Sequence, residues 1–318
     1  MSDRRSLIAI GDLDRAEITR ILDLAERFAE VMSRDIKKVP TLRGRAVINL
    51  FFESSTRTAT SFELAGKRMS ADVVNVKASG SSVDKGETLK DTVLTLNAYR
   101  PDILVIRHRA AGACAAARKY TDAAVINAGD GKHEHPTQAL LDCYTLRRAT
   151  GRLEGLHVAF VGDVLHSRVA RSGAIALTTM GAKVSFICPP TLLPREAAEG
   201  LGVHTSTDIR DIADADVVYA LRMQHERMGR GGFVPSLREY ATQYGIGSHR
   251  LREGQRVMHA GPMNRGVEIT DELADRPDAL VTTQVESGMV VRMAVMYDLL
   301  TETGAQRTPD AVTEAVAA

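Results

Sequence analysis

Hydrophobic residues recur at helical spacing near the start of the chain. They occupy positions 18, 21, 22, 25, 28, 29 and 32, which is the spacing of one apolar face on a helix. Asp14 is followed three residues later by Glu17, as in a capping box. The pattern predicts an amphipathic helix that begins just after Asp14.

Short apolar runs then alternate with segments of helical periodicity. The predicted strands cover 46–52, 73–76, 103–106 and 124–126, with predicted helices at 62–69, 89–99 and 137–148. After the polar turn at 149–152, a second series of strands is predicted at 157–161, 183–187, 216–220, 257–259 and 280–282, and a last helix at 289–300. This rhythm is typical of α/β proteins with parallel sheets. We expect two doubly wound parallel-sheet (Rossmann-like) domains joined by helices, with the active site in the interdomain cleft.

Composition narrows the class of protein. A chain of 318 residues exceeds the usual size of one domain. Its 41 Lys and Arg balance 40 Asp and Glu, which argues against general attraction to nucleic acid or membranes. Its three cysteines form no CxxC pair, and no apolar run approaches the length of a membrane span. We therefore expect a cytoplasmic protein with reduced thiols.

A candidate phosphate site lies where the first strand meets a helix. The segment Ser55-Thr56-Arg57-Thr58 stands at this junction, where free backbone N–H groups and the helix dipole favour an anion. Arg107 directly follows a later strand and is expected at the same sheet edge. The alternative is that Ser55 is an ordinary N-cap and Arg57 a surface charge.

The loop at 127–138 carries further polar groups to that edge. His135 has the chemistry to donate to a carbonyl oxygen, and Gln138 lies one helical turn further on. His133 and His135 could instead form a metal pair, but no third ligand accompanies them at the usual spacing, so we expect no metal. Lys85 lies in a Gly/Ser-rich loop and is either a phosphate ligand or a solvent-exposed residue.

The second predicted domain has arginines at its sheet edge. Gly162 occupies the turn used by dinucleotide-binding proteins, but the other glycines of that motif are missing, which disfavours a nicotinamide dehydrogenase. Arg168 and Arg222 have the forked geometry that binds carboxylates. An interdomain pair of salt bridges is the plainer alternative.

Together these motifs resemble the aspartate carbamoyltransferase family from about Leu7 to Leu300. Its ornithine branch would be expected to carry Cys in the segment that reads His259-Ala260-Gly261-Pro262 here. The resemblance implies transfer of a carbamoyl group from carbamoyl phosphate to L-aspartate, an early step of pyrimidine biosynthesis, without cofactor or metal. Ornithine as acceptor, or a non-catalytic scaffold, are the alternatives.

The resemblance also implies a role for each matching residue. The implied carbamoyl phosphate ligands are Ser55, Thr56, Arg57, Thr58, Ser81, Arg107, His135, Gln138, Gly261 and Pro262, the last two joined by a cis peptide. The implied aspartate ligands are Lys85, Arg168, Arg222 and Gln224. The implied catalytic groups are Arg57, Thr58, Lys85, Arg107 and His135.

The family resemblance further implies how the chain is divided and assembled. A carbamoyl phosphate domain would comprise 1–148 and the last helix, at about 286–303, and an aspartate domain 149–285, leaving 304–318 as a frayed tail. The implied assembly is a homotrimer in which Ser81 and Lys85 cross into the neighbouring site, with a regulatory chain or dihydroorotase as possible further partners. Ala59, Arg109 and Ala260 depart from the family pattern, and Ala59 removes an arginine that would steady the phosphate loop.

Overall fold

The computed structural model describes residues 5–78, 80, 82–224 and 232–301. The chain divides into two compact units. Unit 1 comprises Met1–Tyr144 and Glu286–Ala318, and unit 2 comprises Thr145–Val285. Each unit contains one parallel sheet with helices. The predicted class of two doubly wound α/β domains is confirmed.

Unit 1 contains a four-stranded sheet in the order β2-β1-β3-β4. Its elements are α1 Arg15–Met32, β1 Ala46–Phe51, α2 Thr56–Arg68, β2 Asp72–Lys77, α3 Leu89–Asn97, β3 Ile103–His108, α4 Ala113–Arg118, β4 Ala124–Asp130 and the start of α5 Pro136–Thr150. All pairings in this sheet are parallel. The strand order reverses between β1 and β3, and ligands of such sheets bind outside the carboxyl ends of the strands at that point.

The first helix has the predicted start. Asp14 Oδ1 accepts a hydrogen bond from the Glu17 amide at 2.8 Å, and Glu17 Oε2 accepts one from the Asp14 amide at 2.9 Å. The apolar face of α1, including Ile18, Leu22 and Phe28, is buried. The capping box and the apolar periodicity thus define this element as predicted.

Unit 2 contains a five-stranded parallel sheet in the order β7-β6-β5-β8-β9. Its elements are β5 His157–Gly162, α6 Arg168–Thr179, β6 Lys183–Ile187, α7 Arg195–Gly200, β7 His204–Ser206, β8 Val217–Leu221, α8 Leu237–Tyr244, β9 Arg256–Met258 and α9 Asp271–Ala274, and the helix α10 Val281–Thr301 continues from it into unit 1. The order reverses between β5 and β8, which marks the corresponding edge of this sheet as a ligand site.

The predicted strand at 280–282 is wrong, and the last helix begins earlier than predicted. Ala279 forms a single parallel bridge with Val257, and α10 starts at Val281. The Gln284 amide donates to the Leu280 carbonyl at 2.8 Å, as in a helix. The β-branched residues here favour a strand locally, but tertiary context overrides such weak preferences.

The three cysteines are all buried as free thiols. Burial raises the pKa of Cys188 to about 12, and the charge of Asp163 acts in the same direction. Because the thiolate is the reactive form, native protein should react with Ellman's reagent at pH 8 very slowly. Three thiols should react at once after denaturation in guanidinium, and rapid reaction of Cys188 in folded protein would contradict the buried site.

No helix in the described part of the chain is long and apolar enough to cross a membrane.

Candidate functional site

The Ser55–Thr58 segment forms the first turn of α2. Ser55 is the N-cap, and its hydroxyl accepts from the Thr58 amide at 3.3 Å. Thr58 is buried, whereas Thr56 and Arg57 are exposed. The cap that the plainer interpretation expected is therefore present. It is compatible with anion binding, because the remaining N–H groups of the first turn still lack helical acceptors.

Arg107 lies beside this helix start because β3 pairs with β1. In the register of the two strands Phe51 is opposite Arg107, and the Phe52 amide donates to the Arg107 carbonyl at 2.8 Å. The guanidinium, only 10% exposed, donates to Glu53 Oε1 at 2.9 Å and to the Ala128 carbonyl at 3.1 Å. These contacts hold the charge of Arg107 at the carboxyl edge of the sheet.

His108, the next residue, adds no charge to this edge. Burial lowers the pKa of His108, and the nearby charge of Arg109 lowers it further, although the charges of Asp130 and Glu53 act in the opposite direction. At neutral pH the imidazole is therefore uncharged. Arg107 remains the buried cation of β3.

The loop after β4 is held by Asp130, a residue that the sequence analysis did not select. The Asp130 carboxylate accepts from the Gly112 amide at 2.7 Å, the Asn127 side chain at 2.9 Å and the Glu134 amide at 3.1 Å. It also contacts His133 Nδ1 at 3.1 Å. Four groups converging on one buried carboxylate fix the path of the loop that leads to His135.

His135 and Gln138 follow at the start of α5. His135 is 4% exposed, and its Nδ1 lies 3.5 Å from the Thr137 hydroxyl. Gln138 is also buried and donates from Nε2 to Asp142 Oδ1 at 3.0 Å. Among the described residues no group of three or more His, Cys, Asp or Glu side chains could hold a metal ion. The arrangement offers hydrogen-bond donors and a cation, which suit a small anionic ligand with a carbonyl group.

In unit 2, Arg168 and Arg222 follow adjacent strands. Gly162, at the end of β5, lies opposite Leu221 of β8, so both arginines come after strand ends at the same edge. Arg168 is the first residue of α6 and is 4% exposed, whereas Arg222 is half-buried. Buried or half-buried arginines at one sheet edge suit recognition of carboxylates.

Asp163 organises this edge of unit 2, although sequence reasoning gave it no role. It is fully buried, and Oδ1 lies 2.8 Å from His166 Nδ1. Oδ2 accepts from the Gln224 amide at 3.1 Å, across 61 positions of sequence. The position of Asp163 directly after Gly162, at the end of β5, could have indicated a role at the sheet edge. Its hydrogen bond with the Gln224 amide could not have been predicted from local sequence.

The segment after β9 also reaches this edge of the sheet. The Gly261–Pro262 peptide is cis, as the resemblance implied. His259 Nδ1 accepts from the Gly261 amide at 2.8 Å, and its Nε2 lies 3.2 Å from Glu268 Oε1. A histidine that accepts at Nδ1 carries its proton at Nε2 when neutral. The pair therefore anchors the backbone turn around Gly261.

Lys85 is not assembled with the other expected site residues of unit 1. Lys85 is exposed at the end of a 3-10 turn, Ser82–Lys85, beyond the edge strand β2. Ser81 lies outside the described residues, as do the loop at 225–231 and the expected frayed tail at 304–318. Within unit 1 the structure brings together Ser55, Thr58, Arg107 and the loop carrying His135, and within unit 2 it brings together Arg168, Arg222 and Gln224.

Two family models match most of the chain. The first, described as the carbamoyl-P binding domain of aspartate/ornithine carbamoyltransferase, matches residues 5–148. The second, described as the Asp/Orn binding domain, matches residues 154–299.

Similar proteins carry a more specific name. An aspartate carbamoyltransferase catalytic subunit of Sorangium cellulosum is 56% identical over 302 residues, covering 94% of each chain. The protein of the same name from Azorhizobium caulinodans is 54% identical over 314 residues, covering 96% of this chain and 97% of that one.

Solved structures of named enzymes have the same fold. Aspartate transcarbamoylase from Trypanosoma cruzi, in complex with aspartate and phosphate, superposes with a TM-score of 0.86 at 31% identity, covering 93% of this chain and 97% of that one. The catalytic subunit of the M. Jannaschii enzyme gives 0.83 at 35% identity, covering 94% and 99%. The matched models, the identities and the shared fold agree with the arrangement of basic groups at both sheet edges: the chain belongs to the aspartate/ornithine carbamoyltransferase family.

Proposed function

We propose that this protein transfers the carbamoyl group of carbamoyl phosphate to the amine of L-aspartate, giving N-carbamoyl-L-aspartate and phosphate. The observation that carries the proposal is the convergence of the α2 N-terminus, Arg107 and the His135 loop at one sheet edge. Relatives at more than half identity are named aspartate carbamoyltransferase catalytic subunits. Related structures hold carbamoyl phosphate together with aspartate, or N-(phosphonacetyl)-L-aspartic acid.

In this proposal unit 1 binds carbamoyl phosphate. The phosphate binds at the N-terminus of α2, to backbone and side-chain donors of Ser55, Thr56, Arg57 and Thr58. Arg107 and Ser81 also bind the phosphate. His135 and Gln138 bind the carbamoyl group. The backbone of Gly261 and Pro262, which follow β9 of unit 2, also contacts carbamoyl phosphate. The helix dipole and the guanidinium of Arg107 balance the charge of the substrate.

The chemistry needs no nucleophile from the protein. The deprotonated amine of aspartate attacks the carbamoyl carbon, and the oxyanion that forms is stabilised by Thr58, Arg107 and His135. The carbon–oxygen bond to phosphate then breaks, and a phosphate oxygen takes the proton from the nitrogen. The chain contributes mainly by holding two anions in position, an effect worth up to roughly 7–11 kcal/mol in favourable cases.

The aspartate carboxylates are assigned to Arg168, Arg222, Gln224 and Lys85. Replacing Arg222 with alanine should raise KM for aspartate by about 10- to 100-fold, as expected for loss of a charge-assisted hydrogen bond. Binding of carbamoyl phosphate should change little, and Arg222→Lys should rescue only part of the loss, because lysine lacks the fork. Steady-state kinetics with aspartate varied would measure this, with exposed Arg210→Ala as the matched control. An unchanged KM for aspartate in Arg222→Ala would show that Arg222 does not bind aspartate.

We further propose a homotrimer in which Ser81 and Lys85 serve the neighbouring subunit. Unit 1 exposes large apolar side chains at its edge strand, namely Val74 of β2 and Leu64 of α2, the helix that packs against β2. A row of unpaired backbone groups and exposed apolar residues at a sheet edge favours burial against another chain. Val74 lies in β2 itself, and Lys85 follows that strand, so a partner seated on this edge would meet the lysine.

A direct assay tests the proposed reaction. Purified protein is mixed with carbamoyl phosphate and either L-aspartate or L-ornithine, and both phosphate release and the carbamoylated product are measured. We expect product with aspartate only. Product with ornithine alone would identify the other branch of the family, and no product with either would identify a non-catalytic scaffold. The cytoplasm and pyrimidine biosynthesis are the setting that this activity implies.

A further inference from the structure

A turn at the carboxyl edge of unit 2 contains a buried histidine, His259. This residue directly follows β9 and is 2% exposed. Its backbone amide donates to Gln284 Oε1 at 2.9 Å, and its Nδ1 accepts from the Gly261 amide at 2.8 Å. Its Nε2 lies 3.2 Å from Glu268 Oε1. Because each nitrogen of His259 has a partner, the imidazole is held in one orientation and, when neutral, carries its proton at Nε2.

Glu268 connects the two ends of this turn. Its Oε1 accepts from the Asn264 amide at 2.6 Å and also lies beside the imidazole of His259. Glu268 is only 1% exposed. Residues 259 and 264 are therefore tied to the same buried carboxylate, which fixes the path of the backbone between them.

The hydrogen bond to His259 decides which polar groups the turn can offer to a ligand. The N–H of Gly261 is occupied by Nδ1 of His259, and Pro262 has no N–H. The backbone of Gly261 and Pro262 therefore offers carbonyl oxygens, which only accept hydrogen bonds. A polar ligand group that binds to this backbone has to be a hydrogen-bond donor.

We propose that His259 is a positioning residue that makes this turn selective for the amino group of carbamoyl phosphate. The inference rests on the proposed function, in which the backbone of Gly261 and Pro262 contacts this substrate. Acetyl phosphate has nearly the same size but carries a methyl group in place of the NH₂ group. A site built to bond an N–H group rejects an analogue that lacks it, because the acceptor is then left unpaired. His259 acts through the turn and needs no contact with substrate.

Two substitutions separate the roles of the two ring nitrogens. In His259→Gln the side-chain amide reaches the position of Nε2 and still donates to Glu268, but the acceptor for the Gly261 amide is lost. In His259→Asn the side-chain oxygen takes the position of Nδ1 and accepts from the amide two residues on, as asparagine does in turns. The contact to Glu268 is then lost. If His259 acts through Gly261, His259→Gln should lose selectivity and the conservative variant His259→Asn should retain it.

Selectivity is measured as the inhibition constant of acetyl phosphate divided by KM for carbamoyl phosphate. In His259→Gln we expect KM for carbamoyl phosphate to rise about tenfold, the value of roughly one hydrogen bond. The inhibition constant of acetyl phosphate should change less than about twofold, since a methyl group makes no such bond. The dissociation constant of inorganic phosphate, measured by calorimetry, should be unchanged, because the Ser55–Thr58 turn is intact.

His157→Gln is the matched control. His157 is a half-buried histidine at the start of β5, at the opposite edge of the same sheet. Both of its ring nitrogens also have partners, the Asp214 carbonyl at 2.9 Å and the Ser185 hydroxyl at 3.0 Å. Because this histidine lies away from the turn, its substitution should leave both constants at their wild-type values.

Circular dichroism shows which variants fold. If His259→Gln does not fold, His259→Ala, which also lacks the acceptor, replaces it. A parallel change of both constants in the variant without an acceptor overturns the proposal, because His259 would then only stabilise the fold. Loss of selectivity in folded His259→Asn also overturns it. Absence of carbamoyl transfer in the wild-type protein would instead overturn the proposed function.

Discussion

Replacing Arg107 with alanine should lower kcat/KM for carbamoyl transfer by about 10²–10³, the cost of removing one preorganised donor to an oxyanion. Arg107 is the buried cation at the carboxyl edge of unit 1, held by Glu53 and by the Ala128 carbonyl. The loss should appear in kcat as well as in KM, because the guanidinium meets charge that develops during the reaction. Initial rates with both substrates varied would separate the two.

Two further variants make this prediction specific. Arg109→Ala removes an exposed arginine two residues away and should retain nearly full activity. Arg107→Lys keeps a charge but loses the two-pronged contact to Glu53 and Ala128, so it should recover only a small part of the rate. Activity within tenfold of wild type in Arg107→Ala would show that Thr58 and His135 suffice for the oxyanion.

Lys85→Ala and His135→Ala proteins should each be nearly inactive and should regain activity when mixed. In the proposed trimer, a subunit with intact His135 receives an intact Lys85 from its neighbour at one junction of every mixed ring. Three quarters of the trimers in a random equal mixture are mixed, and each has one good site of three, so recovery should approach about a quarter of wild-type activity. The subunits would be dissociated, mixed, reassembled and assayed.

The matched control mixes His135→Ala with Arg107→Ala. Both residues are assigned to the same chain's share of the site, so no junction is restored and the mixture should remain inactive. Native mass spectrometry would verify that hybrids form in both mixtures. If the first mixture stays as inactive as its parents although hybrids are present, the sites are contained within single chains and the shared-site model is wrong.

Within one chain, Lys85 lies away from the strand that carries Arg107. Strands lie about 4.8 Å apart in a sheet, and the edge strand β2 is separated from β3 by β1. The end of β2 is thus about 10 Å from the end of the strand that carries Arg107. Lys85 is exposed beyond it, whereas Arg107 and His135 are buried.

The effect of Ala59 remains a prediction from the family resemblance. Ala59 lies in the first turn of α2 and is partly exposed. Ser55 caps the helix without help from this position, since its hydroxyl accepts from the Thr58 amide. An arginine placed there would therefore add charge near the phosphate turn and is not needed to form the turn.

Much of this protein follows from local sequence alone. The capping box of α1, the strand cores and the helix start at Ser55 depend on residues within a few positions of one another, so periodicity and capping patterns were enough to predict them. The same holds for the placement of Arg107 and the His135 loop at one edge, because parallel strands carry their carboxyl ends to the same side. The substrates were predicted from the resemblance of the sequence motifs to those of the family.

Tertiary structure alone decided the contacts that hold these groups in place. Glu53 pairs with Arg107 across 54 positions and Asp163 with the Gln224 amide across 61, and no local pattern specifies such partners. The segment at 280–282 shows the same limit, because its strand-like residues begin a helix in the folded chain. Arg292 is the clearest case: an arginine is ordinarily a surface residue, and only the packing of α10, with Arg292 over the Phe62 ring, makes it a buried one.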